Sequence, residues 1–148
     1  MNRKNLIVIG NGMVGQKFLE RFVESGAGDA WKVVTFCEEP RPAYDRVGLS
    51  TFFSGKTADD LALTDESFFL ENGIEVYIGD RAAHIDRDHK VVTSANGVQL
   101  PYDKIVLATG SYPFVPPIPG KDAAGTFVYR TIEDLEAIRN YSLGCKTG

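Results

Sequence analysis

Cysteine, histidine and long apolar runs are all scarce in this 148-residue chain, and each scarcity closes a class of function. The two cysteines, Cys37 and Cys145, lie far apart and form no C-x-x-C or C-x-x-x-x-C pair. Their spacing therefore indicates neither a thiolate metal cage nor a redox-active disulfide, and Cys37, inside an apolar run, reads as a small buried hydrophobe. The two histidines, His84 and His89, have no neighbours at ligand spacing and read as surface residues. No stretch approaches the ~20 apolar residues of a membrane helix. Met1-Asn2-Arg3-Lys4 leads straight into an apolar strand without the h-region of a signal peptide, so a cytoplasmic protein without a membrane partner is expected. The formal net charge is −4 and there is no basic stripe, which argues against nucleic acid, because phosphate contacts need clustered Lys and Arg. No Ser-His-Asp, paired-carboxylate or metal-ligand constellation stands out, and there is no internal repeat. With so little chemistry of its own, the protein points to a cofactor that supplies it.

What is present begins with composition: 43% hydrophobic and 24% charged residues fit one soluble globular domain with a real core. The segment Ile7-Val8-Ile9-Gly10-Asn11-Gly12-Met13-Val14-Gly15 places three glycines at G-x-G-x-x-G spacing after a buried strand, Asn5 to Ile9. That spacing permits a tight turn, close approach of a diphosphate to bare N–H groups, and close seating of the next helix on the strand. Met13, Val14, Phe18, Leu19, Phe22 and Val23 recur near helical spacing, so Met13 to Ser25 reads as an amphipathic helix whose N-terminus faces the anion. Trp31 to Cys37 is a second strand. The acid expected about 20 residues after the glycines, to accept hydrogen bonds from ribose hydroxyls, falls at its end: Glu38 first, Glu39 in reserve. No Arg directly follows the acid, which disfavours a 2′-phosphate.

The remainder fills out the same α/β pattern. Pro40 to Ser50 is a long connection in which Arg41 and Arg46 could meet a diphosphate or flavin oxygens and Tyr44 could flank a planar ring; a solvated loop with an exposed aromatic is the alternative. Ala58 to Leu63 and Asp65 to Glu71 read as short helical pieces, and Ile74 to Ile78 as a strand. Ala82 to Asp86, Lys90 to Ser94 and Val98 to Leu100 read as a small antiparallel meander, with Asn96-Gly97 as its strongest hairpin signal. Lys104 to Ala108 is another buried strand ending in Thr109-Gly110-Ser111. Pro113, Pro116, Pro117 and Pro119 then stiffen a connector, and Ile132 to Asn140 is a final helix capped by Thr131. The expected fold is thus a Rossmann-like parallel sheet with helices and an inserted β-meander. Its sites belong at the strand ends, Gly10 to Gly15, Glu38-Glu39 and Thr109 to Ser111, along one edge.

With these residues in view, the chain resembles the FAD-dependent pyridine nucleotide oxidoreductases, flavoproteins with two dinucleotide folds. The resemblance rests on Gly10 to Gly15, Glu38, the meander, and Tyr102-Asp103-Lys104-Ile105-Val106-Leu107-Ala108-Thr109-Gly110-Ser111 with Pro113 to Gly120. Within that group, Phe36-Cys37-Glu38-Glu39-Pro40-Arg41, Ala43-Tyr44-Asp45-Arg46-Val47 with Leu49-Ser50, and Phe127 to Leu135 are similar to the N-terminal part of the NAD(P)H-dependent nitrite reductase large-subunit family. The resemblance implies the front half of an FAD domain over residues 1–148, with a core to 120, the meander at about 79–101 and a connector and helix over 121–148 leading to an NAD(P)H domain. It implies that Gly10, Asn11, Gly12, Met13, Val14 and Gly15 hold the FAD diphosphate and Glu38, with Glu39 in reserve, the ribose. By the same resemblance the main chain near Ala82 meets the adenine, Arg41, Tyr44 and Arg46 line the diphosphate and flavin side, and Ala108, Thr109 and Gly110 close over the cofactor. NAD(P)H, nitrite, sirohaem and an iron–sulfur cluster belong, on this reading, to a longer parent that reduces nitrite to ammonia in nitrate assimilation, with a small-subunit or homodimer partner left open. The chain alone is expected to be a piece of that parent, without turnover and with reduced hold on FAD. Thr51 stands where ferredoxin reductases of related build place a Lys after the Leu-Ser pair, which goes against that branch. Two other readings stay open: another FAD-dependent NAD(P)H oxidase or reductase, and a non-catalytic nucleotide-binding module.

Overall fold

A computed structural model describes residues 3–146. Its elements in chain order are β1 (Lys4–Ile9), α1 (Met13–Glu24), β2 (Trp31–Cys37), α2 (Ala58–Leu61), α3 (Glu66–Glu71), β3 (Ile74–Ile78), β4 (Ala82–Asp86), β5 (Val91–Ser94), β6 (Gln99–Pro101), β7 (Lys104–Leu107) and α4 (Ile132–Ser142). Two 3₁₀ turns, Ala27–Ala30 and Leu49–Ser54, complete the list. The chain divides into two compact units, one running through Tyr44 and resuming over Ala62–Gly110, the other made of Asp45–Leu61 and the residues from Ser111 onward.

The first unit is built on a four-stranded sheet of order β3-β2-β1-β7 in which every pairing is parallel. Alternate residues of the apolar strand β1 serve opposite faces, which is why the run is continuous rather than alternating. On one face Leu6 and Val8 join Val33, Ile74, Leu19 of α1 and Phe69 of α3; on the other Ile7 and Ile9 join Val34, Phe36 and Val92 of the meander. The meander, a separate sheet of order β4-β5-β6, thus occupies the layer that a helix would otherwise cover. Asp103 joins the entry of β7 to β1 by accepting from the Asn5 N–H at 2.7 Å while its own N–H donates to the Asn5 carbonyl at 2.8 Å.

In the second unit α4 begins with a capping box, in which Thr131 Oγ1 accepts from the Asp134 N–H and the Asp134 carboxylate accepts from the Thr131 N–H. Ile132 and Leu135 of this helix are fully buried, and the Arg139 guanidinium lies 4.8 Å from the Phe52 ring of the Leu49–Ser54 turn. This turn, which carries no periodic apolar signature, is absent from the sequence reading. Among the described residues, no helix is long and apolar enough to cross a membrane.

The edge strand β3 carries a pH-sensitive pair. The Tyr77 hydroxyl donates to Glu75 Oε1 at 2.5 Å, with Lys32 Nζ 3.2 Å from Oε2, and the Tyr77 ring stacks on Phe36 at 5.1 Å. The hydrogen bond from Tyr77 holds the Glu75 carboxyl below its ordinary pKa, and the same bond raises the Tyr77 phenol. A depressed carboxylate contributes stability above its unfolded pKa of about 4.3 and loses it as pH falls through the folded value; a raised phenol contributes below about 10 and loses it as pH rises. Tyr77→Phe is therefore expected to flatten both the acid and the alkaline limbs of a stability-versus-pH curve from denaturant titrations. The change should stay within about 1 kcal/mol because the pair is largely solvated.

Candidate functional site

The parallel register brings the C-terminal ends of all four strands to one edge, since Ile9 pairs with both Phe36 and Leu107, and Cys37 with Ile78. β1 lies between β2, which follows it in sequence, and β7, which comes last, so a crevice opens outside the β1 and β7 ends where the strand order reverses.

Gly10, the first residue after β1, has φ +104° and donates its N–H to the Phe36 carbonyl at 3.0 Å. A side chain there meets the Ala108 carbonyl oxygen, and at Gly15 it meets the Gly10 carbonyl oxygen. Both obstacles are backbone, so these glycines let β7 and α1 close onto the β1 end. Gly12 differs: a Cβ on it has no heavy atom within 4 Å. Among the described residues nothing packs there, and a side chain at this position would face open space. Gly12 is also the N-cap of α1, and it gives the first turn no side-chain cap and no acid. The first-turn N–H dipoles at this edge thus favour an anion. Met13 and Val14 in that turn are exposed, Val14 to 73%.

Asn11 is buried, and its side chain turns inward: Oδ1 accepts from the Ala43 N–H at 2.9 Å and Nδ2 donates to Gln16 Oε1 at 3.1 Å. It clasps the glycine loop to the segment after β2. At that strand end the two acids have different tasks. Glu38 is exposed, whereas Glu39 is half-buried and accepts from the Tyr44 hydroxyl at 2.6 Å. Tyr44 is only 3% exposed, so its ring is part of the core and its hydroxyl braces Glu39. Cys37 Sγ lies 3.0 Å from the Arg41 carbonyl and 3.4 Å from that of Glu39, which tightens the hook. Arg41 is half-buried in it.

On the far side of the crevice Ala108 donates its N–H to the Ile9 carbonyl at 2.8 Å, and the exposed Thr109 and Gly110 follow. Ala82, half-buried, opens the meander and pairs with Ser94. Arg46 belongs to the second unit, where its Nη1 donates to the Arg130 carbonyl at 3.0 Å. The first unit therefore gathers Gly10, Asn11, Gly12, Met13, Val14, Gly15, Glu38, Glu39, Arg41, Tyr44, Ala108, Thr109 and Gly110 toward one edge, with Ala82 just beyond the β3 end. Absent from the sequence reading is the turn after β3. There Asp80 is 4% exposed and accepts from Ser94 Oγ at 2.6 Å and from the Asn96 N–H at 3.1 Å. The signal was available, because Gly79-Asp80 follows a parallel strand just as Gly10 and Glu38 do.

A family model described as pyridine nucleotide-disulphide oxidoreductase matches residues 4–146. The chain belongs to the pyridine nucleotide-disulphide oxidoreductase family. It is 48% identical over 148 residues to the large subunit of nitrite reductase (NADH) of Escherichia coli, covering 100% of this chain and 18% of that protein. It is 36% identical over 141 residues to the assimilatory nitrate reductase electron transfer subunit of Bacillus subtilis, covering 95% of this chain and 18% of that one. Among solved structures it superposes on an NAD-dependent persulfide reductase from A. fulgidus with a TM-score of 0.83 at 30% identity, over 95% of this chain and 28% of that one. The chain thus spans less than a fifth of the length of these two curated relatives.

The family implies FAD and NAD(P)H as cofactors, and the edge fits the adenosine diphosphate part of such a molecule. Gly12 leaves room where a Cβ would otherwise stand, an uncapped helix start favours the phosphates, and Glu38 is exposed at the β2 end. The two cysteines of this chain do not form a redox disulfide with each other, since Cys37 is buried in the sheet and Cys145 is exposed. Nor do the two cysteines supply the four thiolates of an iron–sulfur cluster, and no metal-ligating group of three or more side chains occurs among the described residues. Because the Gly15 obstacle is backbone, Gly15→Ala is expected to lower stability by about 1–3 kcal/mol, the usual range for overpacking, read as an earlier midpoint in urea unfolding.

Proposed function

We propose that this chain is the FAD-binding, electron-entry part of an NAD(P)H-dependent nitrite reductase. The observation that carries the dinucleotide reading is the contrast among the three glycines: Gly10 and Gly15 meet backbone, whereas Gly12 meets nothing. The choice of nitrite reductase within the family is supported by the 48% identity to the E. coli large subunit over all 148 residues.

In this reading the N–H groups at the start of α1 and the Gly10–Gly12 backbone hold the diphosphate, and Glu38 accepts from the adenosine ribose hydroxyls. The main chain at Ala82 meets the adenine. Ala108, Thr109 and Gly110 close the crevice from the β7 side, and Arg41 supplies cationic character toward the diphosphate. Asn11 and Tyr44 serve by holding the 39–44 hook against the glycine loop, since their polar atoms already bond to Ala43, Gln16 and Glu39. FAD, when bound at these residues, would supply the redox chemistry, that is, hydride acceptance from NAD(P)H and one-electron release. Sirohaem, an iron–sulfur cluster and nitrite belong to other parts of a longer polypeptide in this scheme. A cytoplasmic location follows from the same reading. The 36% identity to a B. subtilis electron transfer subunit favours one variant of it, in which the electrons pass to a separate acceptor protein.

Titration of the chain with FAD and with ADP, followed by flavin fluorescence and calorimetry, tests the reading. Gly12→Ala is the decisive variant, because its Cβ occupies space that only a ligand would fill. It is expected to lower the unfolding midpoint only by the small cost of alanine in place of a glycine N-cap, well short of the Gly15→Ala loss. It is also expected to bind FAD and ADP at least about tenfold more weakly, equivalent to about 1.4 kcal/mol. Equal binding by Gly12→Ala and wild type would count against the site. Tight binding of NAD by wild type together with indifference to FAD would replace it with a plain NAD module.

A further inference from the structure

The buried carboxylate of Asp80 has no part in the scheme above, yet it sits where that scheme needs accuracy. Burying a carboxylate is costly unless donors satisfy it. Here the donors come from the meander: Ser94 Oγ at 2.6 Å to Oδ2 and the Asn96 N–H at 3.1 Å to Oδ1. The backbone of the same residue is tied to the sheet, since the Asp80 N–H donates to the Cys37 carbonyl at 3.0 Å, directly before Glu38. Gly79 adds a second tie, its N–H donating to the Glu39 carbonyl at 3.1 Å. Ser94 in turn accepts from the Val98 N–H at 3.1 Å, so the Asn96-Gly97 hairpin is held by the same hydroxyl. Ser94 is also the register partner of Ala82, and Arg81 accepts from the Ala95 N–H at 2.8 Å. Asp80 therefore connects the end of β2, just before Glu38, through its backbone N–H with the strand partner of Ala82 through its carboxylate.

These connections matter because only Gly79, Asp80 and Arg81 link β3 to β4, and the torsions of so short a link do not by themselves fix Ala82 relative to Glu38. The meander is a separate sheet, and the β4–β5 pairing is irregular between Ala82 and His84. A ribose contact on one element and a base contact on the other need that spacing fixed to a fraction of an ångström.

We infer that Asp80 is a positioning residue for the adenosine half of the dinucleotide: its buried carboxylate, held by Ser94 Oγ and the Asn96 N–H, fixes Ala82 relative to Glu38. This inference rests on the dinucleotide reading proposed above. Its prediction differs from that of a merely structural role. A structural carboxylate, once removed, lowers the unfolding midpoint but leaves the folded molecules binding as before. A positioning carboxylate changes how folded molecules choose their base.

The test is calorimetric titration of wild type, Asp80→Ala, Asp80→Asn and Ser94→Ala with ADP and GDP, at a temperature where circular dichroism shows each protein folded. Asp80→Ala is expected to lose about tenfold in ADP affinity, the consequence of breaking a buried polar pair, and to narrow the ADP-over-GDP preference. Asp80→Asn is expected to restore most of both. Its amide oxygen can still accept from the Asn96 N–H and its NH₂ can donate to Ser94 Oγ. Ser94→Ala, which removes one of the two donors, is expected to show a smaller loss of the same kind, and it carries the test if Asp80→Ala does not fold. Wild-type ADP affinity and base preference in a folded Asp80→Ala, or in Ser94→Ala where the former is unfolded, would overturn the positioning role alone. Wild type that binds neither ADP nor FAD would overturn the dinucleotide reading and this inference with it.

Discussion

The contact on which the first unit depends is a backbone one: Gly10 lies against the carbonyl of Ala108, with its own N–H bonded to Phe36. That single residue touches both neighbours of β1, so the ends of β2, β1 and β7 are levelled at one edge by a position that tolerates no side chain. Gly15 repeats the device one helical turn later by letting α1 press on the Gly10 carbonyl. Close packing of three backbones leaves the helix start and the strand ends facing the same open space. The dipolar and steric conditions for holding a diphosphate follow from that approach.

Around this contact the polar side chains of the edge are spent on one another in a consistent way. Asn11, Glu39, Tyr44 and Asp80 all look, as residue types, like candidates to meet a ligand. Each instead bonds to a neighbouring loop: Asn11 to Ala43 and Gln16, Tyr44 to Glu39, Asp80 to Ser94 and Asn96. Of the two acids after β2, Glu38 is left exposed beside the open backbone of Gly12 and the α1 start. An edge of this kind separates residues that present backbone and charge outward from residues that hold the loops still. Pre-organisation of the loops before a ligand arrives lowers the ordering cost of binding.

Much of this architecture was readable in advance. The strands Trp31–Cys37 and Ile74–Ile78 have the bounds expected of them; in the first, burial on both faces leaves a nearly continuous apolar signal. The start of α1 and the Thr131 cap of α4 were equally legible, since both are local chemistry. The Leu49–Ser54 turn was not. Its apolar residues follow no period, and its order depends on α4, which begins about eighty residues later in the sequence. The inward turn of Asn11 and the burial of Tyr44 were illegible for the same reason, as each is decided by a partner brought by the fold.

By itself the sequence determined the α/β order, the meander, the glycine spacing at the end of β1 and the acids at the end of β2, since each is written in adjacent residues or in a short period. Only the tertiary structure decided that Gly12 faces open space while Gly10 and Gly15 face backbone, that Glu39 is held by Tyr44 while Glu38 is exposed, and that Asp80 ties the meander to the sheet. These facts depend on which strand lies beside which. The order β3-β2-β1-β7 sets residues almost a hundred positions apart, such as Gly10 and Ala108, within van der Waals reach. No local pattern can encode a distance that arises only once the sheet has closed around β1.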